Sequence, residues 1–299
     1  FWDQFVSAGG EFRWFNPLHY TRLGYRDHRK ILTVDGSVAV VGGFNIAPEY
    51  EGDGVERGWR DIGMLLEGDL AKGLAKAFDD MFDRAGFDAR RFPLLRRSWS
   101  RQSLPVRDTR LFLGGPGLGT NPLKKSLHQD LRNASSVRLA VAYFLPTWGI
   151  MRLLVKCARR GGRVQLMLPA KSDVTLSQLA SRSLYQKLLR AGVEIYEYEP
   201  QILHAKMYVI DSAVYVGSAN LDRRSLSINF ELLVRVEDAR LVEEANRFFD
   251  ADLARSTRID RVQWRKTRTF WQKLKEQWAL LLLGRIDPFI ARRQLESLR

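Results

Sequence analysis

Two stretches of the chain repeat one pattern of residue types that suits chemistry at phosphorus, His28-x-Lys30-x4-Asp35 and His204-x-Lys206-x4-Asp211. Each leads to a glycine-bounded asparagine: Gly42-Gly43-Phe44-Asn45 in the first copy, Gly217-Ser218-Ala219-Asn220 in the second. Imidazole, with an ordinary pKa of about 6.5, is part neutral and part protonated at neutral pH. One neutral histidine can attack phosphorus and carry a covalent phosphoryl group. A second, protonated, can donate to the leaving alcohol and then take the proton of the incoming one. The lysines Lys30 and Lys206, the amides of Asn45 and Asn220, and Ser218 can bind the non-bridging oxygens as their charge is redistributed. The four histidines and one cysteine show no zinc-ligand spacing, so neither a metal nor another cofactor is expected.

A single motif of this kind would carry little weight, but here it belongs to a longer internal repeat. Ala8–Pro17 parallels Ala191–Pro200, the His–Lys–Asp and Gly–Asn blocks follow in the same order, and Asp61-Ile-Gly-Met-Leu-Leu parallels Glu231-Leu-Leu-Val-Arg-Val. A strand is expected after each histidine, which would turn His28 with Lys30, and His204 with Lys206, to a common side. In the second copy the pattern predicts strands at Val137–Ala142, Arg163–Leu168 and Glu194–Tyr198. It predicts helices at Ile150–Arg160, Leu176–Ala191 and Leu241–Ala254, and a hairpin across Asp211-Ser212. Strands alternating with helices indicate an α/β layered domain with a mixed sheet. The first copy starts so close to its histidine that about 70–75 residues of the repeat unit are absent from it. An opening strand-helix-strand is expected ahead of Phe1 in the full-length protein.

These elements divide the chain into a first, N-terminally truncated unit at residues 1–83 and a second at residues 110–255. An arginine-rich linker at 84–109 joins them, and a basic helical tail occupies 256–299. The segment Arg84–Arg110 holds eight arginines against two aspartates, and reads either as a solvated linker or as a basic rim that meets anionic headgroups. The formal net charge of +14 calls for a polyanionic partner, an anionic membrane surface or nucleic acid. Cys157 stands alone, which excludes an intramolecular disulfide, and its apolar surroundings make it a core residue. In the tail, Trp264, Thr267, Trp271, Leu274, Trp278 and Leu281 recur at steps of three and four beside Lys and Arg. That pattern predicts an amphipathic helix over residues 262–283 lying on a bilayer surface. A further helix is expected at Pro288–Leu298.

The two copies together resemble the phospholipase D superfamily, whose signature both carry intact. Within it the chain looks like the bacterial cardiolipin synthases, through Arg29, the Gly-Gly-Phe-Asn of copy one, Tyr143-Phe144-Leu145-Pro146, Gly217–Asp222 and Asn229-Phe230-Glu231. The resemblance implies two repeated α-β-α layered domains packed around one shared active site, with no second chain needed to complete it. It implies His28 as nucleophile, His204 as acid and base, Asp35 and Asp211 as supports, and Asp61 and Glu231 as the acids orienting His28 and His204 respectively. It further implies a phosphatidyltransferase that makes cardiolipin from phosphatidylglycerol at the bacterial cytoplasmic membrane, held peripherally or by a segment ahead of Phe1. The alternative within the superfamily is a phospholipase D-type hydrolase, nuclease or other phosphodiesterase.

Overall fold

A computed structural model describes residues 2–15, 26–85, 101–116 and 120–286. The expected helix at 288–298 and most of the arginine-rich segment, residues 86–100, lie outside the described residues. The first repeat begins with a short helix α1 (Trp2–Ser7), followed by strands β1 (Ile31–Val34), β2 (Val38–Gly42) and β3 (Gly63–Glu67) and helix α2 (Asp69–Ala85). The second runs β4 (Gln102–Val106), β5 (Thr109–Gly114), α3 (Pro122–Asn133), β6 (Ser136–Val141), α4 (Trp148–Arg159), β7 (Arg163–Pro169) and α5 (Thr175–Ala191). It continues through β8 (Glu194–Tyr198), β9 (Lys206–Ile210), β10 (Ala213–Gly217), β11 (Glu231–Val236), α6 (Ala239–Leu253) and β12 (Ser256–Arg258). Helices α7 (Arg261–Thr267) and α8 (Phe270–Leu281) close the described chain.

The strands form a three-stranded sheet in the order β1-β2-β3 and a nine-stranded sheet in the order β12-β8-β7-β6-β9-β10-β11-β5-β4. The larger sheet is mixed, with β6, β7 and β8 parallel through the crossover helices α4 and α5, and the other pairs antiparallel. Because both its faces are covered, its central strands are apolar throughout. In β11, Leu232, Val234 and Val236 turn to one core while Leu233 turns to the other. Helices α3, α4 and α5 cover one face. On the opposite face, Leu70, Leu74 and Ala77 of α2 join Ala39 and Val41 of β2 against Leu111, Leu113, Leu232 and Val234. The small sheet has no core of its own but shares that of the second unit.

The repeat is visible in the backbone. Gly9 ends α1 at φ +86° and Gly192 ends α5 at φ +92°, a left-handed stop that glycine adopts without steric cost. The hairpin residues Asp35 and Asp211 share φ +51° and +47°, a region an aspartate tolerates better than most residues. Gly42 and Gly217 sit where an added side chain would meet the carbonyl of Ile62 or Leu232 on the next strand. The copies differ at one edge. β9 pairs with β6 on one side and β10 on the other, whereas among the described residues β1 pairs only with β2. Residues 11–14, which parallel β8, likewise form no strand.

Two expectations require correction. The last part of the predicted linker is β4, paired with β5 at the edge of the large sheet. The arginines around it mask its alternation, and Pro105 is tolerated because an edge strand leaves one row of backbone groups unpaired. The tail is also not one helical stripe. The chain breaks at Arg268-Thr269, where Thr269 forms a capping box with Gln272. Trp264 turns inward onto the Tyr185 ring at 4.9 Å, beneath the Arg268 guanidinium at 3.7 Å. Helix α8 buries Glu276 and Ala279 and leaves Trp271, Leu274, Trp278 and Leu281 exposed. No helix among the described residues is long and apolar enough to cross a membrane.

The lone edge has an energetic consequence. Asp211 accepts from the backbone N–H groups of Ser135 and Ser136 at 3.0 and 2.8 Å, tying its hairpin to the start of β6. Asp35, exposed, has no such partner among the described residues. Replacing Asp211 by Ala is expected to cost about 1–2 kcal/mol more than Asp35→Ala, the worth of those two bonds partly screened by solvent. The left-handed backbone penalty is common to both variants and cancels. Urea unfolding of the two proteins checks this, and equal losses would contradict it.

Candidate active site

The two motifs meet because each repeat lays a short backbone bridge onto the other. Asp27 pairs in parallel with Phe230, and His28 N–H donates to the Phe230 carbonyl at 3.0 Å. Arg60 pairs with Leu203, and His204 N–H donates to the Arg60 carbonyl at 2.7 Å. An ion pair from Arg60 to Asp252 at 2.9 Å reinforces the second bridge. The histidine of each copy therefore runs beside the strand that carries the acid of the other.

The imidazole–carboxylate pairs are accordingly crossed. His28 Nδ1 lies 3.1 Å from Glu231, and His204 Nδ1 lies 2.7 Å from Asp61. Sequence position assigns Asp61 to His28 and Glu231 to His204, and the structure reverses that pairing. The reason is the packing of the repeats: an acid within a unit points across the interface, which linear proximity does not reveal. In each pair the carboxylate is placed to accept a proton from Nδ1, an arrangement that would fix the tautomer with Nε2 free.

The residues after the first motif glycine serve those acids. The Ser218 hydroxyl donates to Glu231 at 2.5 Å and accepts from Leu232 N–H at 3.0 Å, and it is fully buried. Its place is thus against the orienting acid rather than on a phosphate oxygen. At the equivalent Gly43 an added Cβ would collide with the Asp61 carboxylate. Aspartate, one methylene shorter than glutamate, needs glycine there, and glutamate leaves room for the serine.

The lysines are buried with the histidines. Lys206 Nζ is 2.7 Å from His204 Nδ1 and 3.2 Å from Nε2, and it donates to the His204 carbonyl. Since Asp61 takes the Nδ1 proton, the ammonium directs its own protons to that carbonyl. Lys30 Nζ donates to the His28 carbonyl at 2.8 Å. Burial lowers the pKa of Lys206 to about 8; the nearby Lys30 adds to the shift while Asp61 and Glu231 oppose it. Burial also lowers the pKa of Lys30. His204 is lowered by burial, with the Asp61 hydrogen bond working against the shift. These mutual influences place both lysines and both acids in one cluster.

The asparagines differ. Asn220 is buried and accepts from Tyr143 N–H at 3.3 Å, whereas Asn45 is exposed and donates to the Tyr50 hydroxyl at 3.1 Å. Asp35 and Asp211 stand in the hairpins at the far ends of β1 and β9, away from the cluster. Sequence reading passes over Tyr50 and Trp59. The Tyr50 hydroxyl is 3.2 Å from His204 Nδ1, and the rings of Tyr50 and Trp59 each lie 5.4 Å from the imidazole. The available signal is an aromatic pair within a glycine-punctuated loop that the second copy lacks. Among the described residues, no three His, Cys, Asp or Glu side chains converge as a metal site.

A lysine can hold a phosphate oxygen effectively only while charged. The buried position of Lys206 lowers its proton affinity, so the charge is present below about pH 8 and lost above it. The expected kcat/KM for a soluble phosphodiester therefore falls as pH rises through about 8, since this parameter reports groups of the free enzyme. An alkaline limb starting only near the ordinary lysine value of about 10.4 would remove Lys206 from substrate binding.

Comparison with known proteins agrees with the fold and the motifs. Residues 127–253 match the family described as "Cardiolipin synthase, PLD-like domain". Cardiolipin synthase 1 of Staphylococcus aureus (strain COL) is 32% identical over 292 residues, which cover 94% of this chain and 58% of that protein. The cardiolipin synthase of Geobacillus kaustophilus (strain HTA426) is 32% identical over 292 residues, covering 94% of this chain and 57% of that one. The chain thus spans little more than half the length of the curated relatives it matches. The crystal structure of phosphatidylserine synthase from Haemophilus influenzae Rd KW20 shares the fold, with a TM-score of 0.66 at 13% identity over 93% of this chain and 72% of that one. With both signature motifs intact and joined across one interface, the chain resembles the phospholipase D superfamily and, within it, the bacterial cardiolipin synthases.

Proposed function

We propose that the chain is the catalytic part of a phosphatidyltransferase that forms cardiolipin from two molecules of phosphatidylglycerol, residues 1–83 and 110–255 supplying one half-site each. The observation that carries this reading is the pair of crossed acid–imidazole contacts, with both lysines in the same cluster. His28 Nε2 attacks phosphorus, and the bond from phosphorus to the glycerol oxygen breaks as His204 donates its proton to that oxygen. Asp61 stabilises the imidazolium that His204 must form first. A second phosphatidylglycerol then gives its hydroxyl proton to His204 and attacks phosphorus, and the P–N bond to His28 breaks. Lys30, Lys206 and the amide nitrogen of Asn220 bind the non-bridging oxygens, while Glu231, held by Ser218, orients His28.

Transfer to an alcohol requires that water be kept from the phospho-histidine. The wall of Tyr50, Trp59 and Tyr143 around His204 supports that outcome over hydrolysis. In the test, full-length protein is incubated with phosphatidylglycerol vesicles, and the lipids and the labelled peptide are resolved. Cardiolipin with free glycerol, and a phosphatidyl group on His28 after acid-free quenching, is the expected result. Phosphatidic acid alone would make the enzyme a hydrolase, a phosphatidyl group on His204 would exchange the two roles, and intact lipid with cut DNA would make it a nuclease. His28→Asn is expected to abolish turnover.

Helix α8 is the proposed membrane contact. Its outer face presents Trp271, Leu274, Trp278 and Leu281 to solvent, with Lys273 and Lys275 beside them. Aromatic rings flanked by ammonium groups suit the headgroup region of an anionic bilayer. Trp271→Ala with Trp278→Ala should weaken flotation with phosphatidylglycerol vesicles by about a hundredfold or more, each indole being worth more than ~1.4 kcal/mol of buried area. Undiminished flotation would place the contact elsewhere.

A further inference from the structure

A cavity of about 800 Å³ opens between α4, α5, α8 and the loop after β10, and no step of the proposed reaction uses it. Its inner end is formed by Tyr143 and Asp222. Tyr143 is 6.2 Å from the His204 ring, centroid to centroid, and Asp222 is close enough to feel the charge of His28. The cavity therefore leads out of the catalytic cluster rather than standing apart from it. Its middle is apolar, lined by Met151, Leu184, Leu280 and Leu283, and Lys187 and Arg223 are among the cations along its wall. The volume lies near the upper end of the range, about 300–1,000 Å³, of pockets that enclose most of a ligand.

Two polar atoms in this wall have no partner. His128 Nε2 and Thr147 Oγ1 are buried and make no hydrogen bond, although buried polar groups are nearly always satisfied. Thr147 stands at the N-cap of α4 yet makes no capping bond with its hydroxyl. Gly149 leaves room for the His128 ring, since a side chain there would strike it. At the outer side, exposed Trp148 and the exposed face of α8 adjoin the cavity.

We infer that this cavity receives an acyl chain of the phospholipid whose phosphate stands between His28 and His204. The inference rests on the phosphatidyl-transfer reading and names where the lipid part of that substrate goes. A chain seated between α5 and α8 would lie along Met151, Leu184, Leu280 and Leu283 and point toward Tyr143 beside the catalytic cluster. The arrangement selects for lipids with long chains over water-soluble phosphodiesters, because burial of each methylene contributes to affinity.

The wild-type protein is tested with vesicles of phosphatidylglycerol carrying a photoactivatable diazirine in one acyl chain, and the cross-linked peptides are mapped. Labelling of α4, α5 and the inner face of α8, around Met151, Leu184 and Leu280, is the expected result. Labelling confined to exposed Phe270, Trp271 and Trp278 would overturn the inference. This measurement needs binding alone, so it decides the cavity even if no glycerol is released and the transferase reading fails. As a second arm, Leu184→Trp should lower kcat/KM about tenfold more for dioleoyl than for dibutanoyl phosphatidylglycerol. Equal loss on both substrates would also overturn it.

Discussion

Each histidine of this protein is oriented by a carboxylate that belongs to the other repeat, and most of the architecture follows from that requirement. His28 depends on Glu231 and His204 on Asp61, so neither half-site exists until both units have packed. The backbone bridges at Asp27–Phe230 and Arg60–Leu203 bring each histidine to its acid. The shared core beneath α2 fixes the relative position of the small and large sheets, and with it the distance between the two imidazoles. A buried acid separated from its partner would cost about 3–5 kcal/mol. The crossed pairs thus penalise any slip between the units and couple assembly of the site to assembly of the fold.

Burial sets the electrostatics of the site. Two lysines lie within one cluster, each made less basic by desolvation, and Lys206 is reduced to about 8. The acids oppose that shift, so they keep the lysines charged as well as orienting the histidines. Excess positive charge in a dry pocket is unfavourable when empty and is relieved by a phosphodiester anion.

Much of the second unit was legible because its signals are local. The hairpin at Asp211-Ser212, the strand Glu194–Tyr198 and the helix ending at Ala191 follow from turn chemistry and periodicity within a few residues. Strand β4 was not legible: five residues at a sheet edge, interrupted by Pro105 and flanked by arginines, present too weak an alternation. The tail misled in another way. A stripe of apolar residues at helical spacing does not reveal a break at Arg268-Thr269, and Trp264 packs inward while Trp271 and Trp278 face out. Ser218 was read as a phosphate ligand because it stands inside the motif, but its hydroxyl is taken by Glu231.

By itself the sequence determined the chemical inventory: two histidines, two lysines, two asparagines and two downstream acids, placed in register by an internal repeat. Residue type and spacing suffice for that, since they define what protons and charges are available and which side chains share a strand. Only the tertiary structure decided which acid serves which histidine, which asparagine is buried, and that Tyr50 and Trp59 join the site. The acid–histidine pairs and the Tyr50–His204 contact join segments more than a hundred residues apart, governed by how two sheets pack, and no local pattern encodes them. The two motifs are therefore halves of a single site in a stricter sense than repetition alone implies, because each is completed by the acid of the other.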